Sequence, residues 1–256
     1  MRKLTLILTA LAIGLYACRK GGEEEITGEL VLNELQANST GDAVVLSWTW
    51  NGEGQLDSVI IYLDNSKVGK VTSGNTYTHT TTQTGTYKLI GYVKDKSFES
   101  NTRSTTPVSS SVTVEERNAP GPSGLVVGSD YKFVAKYLND ADAPQKVYYY
   151  YTNCLANDFS SSPYYLSSPV NGACPSELSG FTITSYIKED PSFNGVVTDP
   201  GNSTYAQLNS NSKYALKFTI SGKVYYALAT TGASVGSSVT LNFKVQTIPN
   251  LRIIGQ

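Results

Sequence analysis

Apolar and polar residues alternate along this chain with a period of two, in short segments separated by turn residues. In residues 43–50, for example, the alternate positions are Val44, Leu46, Trp48 and Trp50. This period places successive side chains on opposite faces of a β-strand. No helical period of useful length is present, and the 18 Tyr residues, beside abundant Ser and Thr, also favour strands. The chain is therefore predicted to be all-β.

The region from residue 27 to residue 115 is predicted to be a β-sandwich. It contains about seven short strand candidates with turn signals between them. These candidates are residues 29–35, 43–50, 57–64, 67–72, 76–81, 85–94 and 104–114.

A second β-rich domain is predicted for residues 125–256, after a polar linker rich in Pro and Gly at residues 116–124. Its strand candidates are residues 131–137, 181–188, 213–220, 223–230 and 239–245. Ser221-Gly222 is a two-residue hairpin signal between two of them. The sequence thus predicts two antiparallel β-sandwich-like domains in tandem, the second a sandwich or a partly open barrel. Their cores are expected to unfold independently.

Three segments of the first domain resemble strands B, C and F of fibronectin type III and related immunoglobulin-like domains: residues 45–48, 60–65 and 85–93. The resemblance implies that Trp48 is the core tryptophan of strand B. It also implies that Tyr87 forms a tyrosine corner, with its hydroxyl bonded to backbone. Such domains are commonly spacers or docking units, so the resemblance establishes no activity.

The first residues of the chain predict a secretory signal peptide at residues 1–17. Arg2 and Lys3 precede an apolar run of about 12 residues, whereas a bilayer span needs roughly 20. The segment from Leu15 to Cys18 reads Leu-Tyr-Ala-Cys and resembles the lipobox of bacterial lipoproteins. The resemblance implies that Cys18 becomes the N-terminus and carries diacylglycerol and palmitate. The alternative is an ordinary secretory signal followed by an incidental cysteine.

Residues 18–26 are predicted to be a lipid-anchored tether. The acidic cluster from Glu23 to Glu25 resembles the surface-export signal of lipoproteins in the Bacteroidota. It implies an outer-membrane protein that faces the cell exterior. A charge run is also typical of a solvated tether, so retention on the periplasmic side stays open.

Cys154 and Cys174 are predicted to form a disulfide, because an even pair of thiols in an oxidising compartment is normally oxidised. The alternative is a metal site, but neither His nor a third Cys is close in sequence to complete one.

The chain is not expected to bind nucleic acid. Removal of residues 1–17 leaves 18 basic against 21 acidic side chains, a net charge of −3, whereas phosphate binding relies on a basic face.

We also expect the protein not to be an enzyme and to need no cofactor. His79, the one histidine, lies in a strand candidate without a nucleophile motif and is expected to face solvent. Carboxylates that could serve glycoside hydrolysis exist, but any chain with 21 acids supplies such a set: Asp158, Glu177, Glu189 and Asp190.

Metal binding is also not expected. Asp140 and Asp142 place oxygen ligands at alternate positions, but they lack the Gly and bidentate Glu of a calcium loop. A plain turn is the alternative, and the sequence does not decide between them.

Aromatic side chains are the best candidates for a ligand site. A strand must send Tyr148 and Tyr150 to one face and Tyr149 and Tyr151 to the other, so one pair is expected at the surface unless a loop covers it. The loop between the two cysteines adds three more aromatic candidates: Phe159, Tyr164 and Tyr165. Tyrosines of this kind suit both sugar rings and protein surfaces, but they can also simply pack a core.

Two functions follow. The first is a non-catalytic surface lipoprotein that binds a glycan or another nutrient near an outer-membrane importer. The second is a structural or adhesive surface protein of a pilus, a surface layer or a host contact. The expected partners are the membrane, through the lipid, and a glycan or a protein.

Overall fold

The computed structural model of the chain describes residues 25–155, 157–174 and 176–256. The predicted signal peptide and Cys18 lie outside this part. The described residues form β-strands and one turn of 3-10 helix at Ala143–Gln145, and they contain no helix that is long and apolar enough to cross a membrane. The all-β prediction is confirmed.

The strands group into a proximal body and a distal body. Those of the proximal body are β1 (Gly28–Leu32), β2 (Gln36–Ala37), β3 (Ala43–Gly52), β4 (Ser58–Leu63), β5 (Ser66–Val71), β6 (Thr76–Thr80), β7 (Thr86–Val93), β8 (Lys96–Glu99) and β9 (Arg103–Ser104). Those of the distal body are β10 (Val108–Glu115), β11 (Ser123–Val127), β12 (Phe133–Tyr137), β13 (Tyr149–Thr152), β14 (Tyr165–Ser167), β15 (Tyr186–Glu189), β16 (Tyr205–Gln207), β17 (Lys213–Ile220), β18 (Lys223–Thr231) and β19 (Ser238–Val245).

In the proximal body, β3 pairs with β1, β2 and β6, and a second sheet has the order β5-β4-β7-β8, with β9 also paired to β7. The predicted alternation holds along β3, where Val44, Leu46 and Trp48 are buried and Thr49 is exposed. These side chains pack against Ile61 and the other inward residues of the second sheet.

The distal body also has two antiparallel sheets, with the orders β10-β19-β18-β17-β15 and β12-β11-β13-β14-β16. A large core lies between them. Its aromatic members are Phe133, Tyr149, Tyr151, Tyr164, Tyr214, Phe218, Tyr225 and Phe243. The strand predicted at residues 181–188 is shorter than expected and begins only at Tyr186.

The predicted domain boundary at residue 115 is wrong. The strand assigned to the end of the first domain is β10, which pairs with β19 over its whole length, from Val108↔Val245 to Glu115↔Ser238. The edge of the proximal sheet is completed instead by β8 and β9. Alternation identifies a strand and its inward face, but it does not identify the partner strand, and this explains the error.

The segment predicted as a free linker at residues 116–124 is also packed. Glu116 is fully buried, and β11 begins within the segment.

The last residues of the chain return to the proximal body. Ile248, Leu251 and Ile253 are buried members of the proximal core. The fully buried amide of Gln246 donates to the carbonyl oxygens of Thr105, at 3.0 Å, and Ile253, at 2.6 Å. The two bodies therefore share a core segment, and the expected independence of their cores does not fit this packing.

Tyr87 is fully buried, but its hydroxyl does not bond to backbone as a tyrosine corner would. Its partner is Nδ1 of His79, at 2.8 Å. The histidine is consequently half-buried rather than solvent-facing, and burial lowers its pKa from the ordinary value of 6.5.

A lowered pKa in the folded state predicts a dependence of stability on pH. The contribution of His79 is fully present above about pH 6.5 and is lost as the pH falls from 6.5 through the lower folded value, because only the unfolded chain then binds the proton. We expect urea unfolding of His79→Gln to show a smaller drop in stability between pH 7.5 and pH 5.5 than the wild type. An equal drop in both proteins would show that the histidine does not contribute.

Candidate functional site

The tyrosine-rich strand β13 is buried along its whole length. Tyr149 and Tyr151 point into the core between the two distal sheets. The Tyr149 hydroxyl donates to the carbonyl oxygens of Tyr186, at 2.9 Å, and Lys217, at 3.1 Å. Burial raises the pKa of Tyr149 well above its usual value, so this hydroxyl stays protonated and acts as a donor.

The opposite face of β13 is also covered, so the expected surface pair of tyrosines is absent. Tyr150 packs under Leu138, Ala143 and Val147, with Leu178 and Phe181 alongside. The apolar residues of two segments, 138–147 and 178–181, thus form a lid over this face. Tyr148 precedes the strand and does not share this face: it is half-buried against the core between the two sheets and lies edge-on to Phe218, with 5.6 Å between ring centroids.

The hydroxyl of Tyr150 belongs to a polar network beneath this cover. It donates to Oε2 of Glu177 at 3.0 Å, and the Thr152 hydroxyl donates to the same carboxylate. Nε of Arg117 lies 3.2 Å from Oε1 of Glu177. Glu177, considered above as an acid for glycoside hydrolysis, therefore has three structural partners.

The Cys154–Cys174 disulfide is present, with 5.6 Å between the Cα atoms. Within the loop that it closes, Tyr164 is only 4% exposed and stacks on Tyr151 at 5.4 Å. Tyr164, one of the aromatic candidates for a ligand site, is thus a core residue. Its hydroxyl donates to the carbonyl oxygen of Phe159 at 3.1 Å and so holds the backbone of the loop.

Three aromatic side chains near this loop remain accessible. Phe159 is 37% exposed. Tyr165 is half-buried and meets Tyr205 edge-on at 5.9 Å. Tyr205 lies on the neighbouring strand β16 and was not singled out from the sequence, where it stands alone among polar residues.

A buried carboxylate braces the start of the disulfide loop. Glu116 accepts hydrogen bonds from the backbone N–H groups of Asn118, at 2.6 Å, and Asn153, at 3.2 Å. The Asn153 side chain donates to the carbonyl oxygens of Asp158 and Ser161, and the Asn118 side chain donates to that of Leu155 at 2.7 Å. These bonds fix the backbone of the loop from below.

The braced loop lies at the end of β10 opposite the junction with the proximal body. Strand β10 starts near Thr105, where Gln246 joins the two bodies, and ends beside Glu116 and the loop. Leu155, which is 45% exposed, and Phe159 present apolar surface there. We call these two side chains the tip surface. Leu155 was missed from the sequence because one Leu among polar loop residues gives no periodic signal.

The other acidic candidates also have structural partners. Hydrogen bonds from Ser161 and Ser160 lower the pKa of Asp158. Asp190 is 2% exposed and accepts from the Thr198 backbone and hydroxyl, both at 2.9 Å. Glu189, on β15, lies 3.5 Å from the amide of Asn209.

The two aspartates considered for calcium, Asp140 and Asp142, form ion pairs with lysines. Asp142 pairs with Lys136 at 2.6 Å and Lys146 at 2.7 Å, and these bonds lower its pKa to about 2. Asp140 pairs with Lys136 at 3.0 Å. In the part of the chain that the structure describes, no group of three or more His, Cys, Asp or Glu side chains is placed to hold a metal ion.

No protein-family model and no curated protein matches this chain. A solved structure described as "Biofilm associated protein - BSP domain" aligns with 76% of this chain and with 28% of its own, at 11% sequence identity and a TM-score of 0.24. This chain therefore spans 28% of that protein's length. A likeness of this size does not define a shared fold.

Proposed function

We propose that this protein is a non-catalytic contact module at the cell surface, held by a lipid on Cys18, and that it meets a protein partner through the tip surface. The observation that carries the proposal is the position of Leu155 and Phe159. Both are exposed at the end of β10 opposite the junction with the proximal body, on a loop held by a disulfide and by buried hydrogen bonds. A rigid loop loses little conformational entropy when it binds, and this favours contact residues at such a place.

The proximal body suits the role of a spacer. Its two sheets, of four and five strands, pack face to face around one core, and such sandwich domains are commonly spacers. The chain enters at Gly28, which pairs with Gly52 at the end of β3. The other end of β3 is near Gly41, whose carbonyl oxygen accepts from the Arg252 backbone at 2.7 Å. From Gly28 onward, the proximal body, the distal body and the tip therefore follow one another.

The chemistry of the tip favours a protein surface over a sugar. One of its two side chains is aliphatic, and sugar binding generally relies on flat aromatic faces beside polar groups. Four of the aromatic side chains first considered for sugar stacking are buried: Tyr149, Tyr150, Tyr151 and Tyr164. We therefore favour the adhesive or structural function over the capture of a nutrient glycan.

A glycan ligand is the second candidate, and the pair formed by half-buried Tyr165 and exposed Tyr205 supports it. Their rings meet edge-on, and Tyr205 is 47% exposed. Alanine at either position should reduce the binding of a glycan without affecting adhesion through the tip.

The proposal predicts that the double variant Leu155→Ser, Phe159→Ser reduces adhesion at least tenfold. Host cells displaying each protein would be scored for aggregation and for attachment to surfaces coated with collagen, fibrinogen or a glycan mixture. Soluble Cys18→Ser protein should be released from the membrane and should compete for attachment. The matched control is Val134→Ser, which removes an apolar side chain that is 46% exposed elsewhere on the distal body.

Two results would contradict the proposal. Unchanged adhesion of the double variant would show that the tip surface is not the binding site. Attachment only to the glycan surface, lost with Tyr205→Ala, would establish the second candidate instead.

A further inference from the structure

A cleft runs along the junction of the two bodies. It consists of two adjoining cavities, of about 580 Å³ and 640 Å³, which share Ala37 and Asn250 in their walls. Volumes of about 300–1,000 Å³ at a domain junction are typical of ligand sites. We call this feature the junction cleft. Residues 34–40 and Arg103 form its proximal wall, Lys223 and Tyr226 belong to its distal wall, and residues 247–250 and Arg252 of the C-terminal segment line it between the two.

The first cavity is lined by two cationic side chains, Lys223 and Arg103, that have no strong ion pair. Lys223 is exposed, and no carboxylate of the described residues lies within 4.0 Å of its amine. Arg103 contacts Oε1 of Glu34 through Nη2, at 3.0 Å. The Glu34 side chain is 81% exposed, and an ion pair this exposed contributes little.

The guanidinium of Arg103 has an unsatisfied donor. Its Nε is buried and has no hydrogen-bond partner among the described residues. A guanidinium binds a carboxylate best through two parallel N–H groups, such as Nε and one Nη. A ligand carboxylate that displaced Glu34 and caused a small rotation of the guanidinium would satisfy both donors.

The other polar side chains that line the cleft are uncharged or already have hydrogen-bond or ion-pair partners. Gln36, Ser104, Thr247 and Asn250 line the first cavity and supply hydrogen-bonding groups without charge. In the second cavity, Arg252 donates from Nε to the Thr40 carbonyl oxygen at 2.8 Å and from Nη1 to that of Val197 at 3.0 Å.

Asp199, also in the second cavity, accepts from the Tyr226 hydroxyl at 3.0 Å and pairs with Lys217 at 3.1 Å. The first cavity thus suits an anionic group, and the second suits an uncharged, hydroxylated group.

We propose that the junction cleft binds an acidic saccharide, with a carboxylate between Arg103 and Lys223 and a neighbouring sugar unit in the second cavity. This site is separate from the tip surface and from the Tyr165–Tyr205 pair, so it does not depend on the function proposed above.

The test is titration calorimetry of the folded chain with digalacturonate and with its methyl ester, which has the same sugar rings without the charge. We expect the acid to bind and the ester to bind at least tenfold more weakly. Arg103→Gln and Lys223→Gln should each weaken binding of the acid at least tenfold. Glu34→Gln should strengthen it severalfold, because it removes the competing carboxylate. Lys70→Gln, a change at an exposed lysine of β5, is the matched control and should have no effect.

Three outcomes would overturn the proposal. Equal binding of the acid and the ester would show that the charge of the carboxylate does not contribute to binding. Equal affinity for acetate and digalacturonate would reduce the site to an anion site without saccharide recognition. Absence of binding at millimolar digalacturonate, with a melting temperature that shows a folded protein, would exclude the site. Binding that persists in Leu155→Ser, Phe159→Ser separates this result from that of the adhesion experiment.

Discussion

Replacement of Tyr149 by alanine is expected to lower the free energy of unfolding by about 3–5 kcal/mol, the usual cost of truncating a fully buried aromatic side chain. Tyr149 is 0% exposed and packs beside Phe133, with 6.2 Å between ring centroids. Alanine would leave a cavity between the two distal sheets. Chemical denaturation followed by far-UV circular dichroism measures the change.

The variant Tyr149→Phe distinguishes the contribution of the hydroxyl to stability from that of the ring. It keeps the ring in the core but leaves the carbonyl oxygens of Tyr186 and Lys217 without this donor, so a loss of about 1–3 kcal/mol is expected. Tyr165→Ala serves as the control, since its side chain is only half-buried and a loss below about 1 kcal/mol is expected. Equal stability of Tyr149→Ala and wild type would contradict the packing of β13 described here.

Features that short segments encode were predicted well from the sequence. The strands expected at residues 213–220 and 223–230 are β17 and β18, and the turn between them is Ser221-Gly222. Both turn residues have positive φ, 49° for Ser221 and 77° for Gly222, as a tight hairpin turn of this kind requires. Turn and strands are set by neighbouring residues, so a local pattern suffices to predict them.

Features that depend on distant residues were not predictable in this way. The alternation in β10 suits either body, and only its pairing with β19, more than 100 residues later, assigns it to the distal sheet. The four consecutive tyrosines show which faces are occupied but not which segments cover them. Leu178 and Phe181, which help to cover Tyr150, follow it by about 30 residues and are partly buried members of its cluster.

The candidate site was predicted in part. The disulfide and the exposure of Phe159 follow from the sequence, because Cys usage and a polar loop are local signals. The brace under the loop does not, because Glu116 stands in a segment that has the composition of a linker. Its burial depends on Asn118 and Asn153, which supply the N–H groups for its carboxylate.

Leu251→Ala is expected to destabilise the proximal body strongly, although the residue lies far from that body in sequence. Leu251 is 0% exposed and belongs to the proximal core, although it follows the last strand of the distal body. Removal of a buried leucine side chain costs about 2–5 kcal/mol. We therefore expect this variant to destabilise the proximal body, and to lower the unfolding transition of the distal body with it because Gln246 and the residues after it connect the two.

The two tryptophans make this prediction measurable. Trp48 and Trp50, the only tryptophans of the chain, both lie on β3, so tryptophan fluorescence reports unfolding of the proximal body alone, whereas circular dichroism reports both bodies. In the wild type, the two signals should change in one transition, and Leu251→Ala should shift both. Leu155→Ala, which removes an exposed leucine, should shift neither. If Leu251→Ala left the fluorescence transition unchanged, the C-terminal segment would not belong to the proximal core, and the two bodies would unfold as independent domains after all.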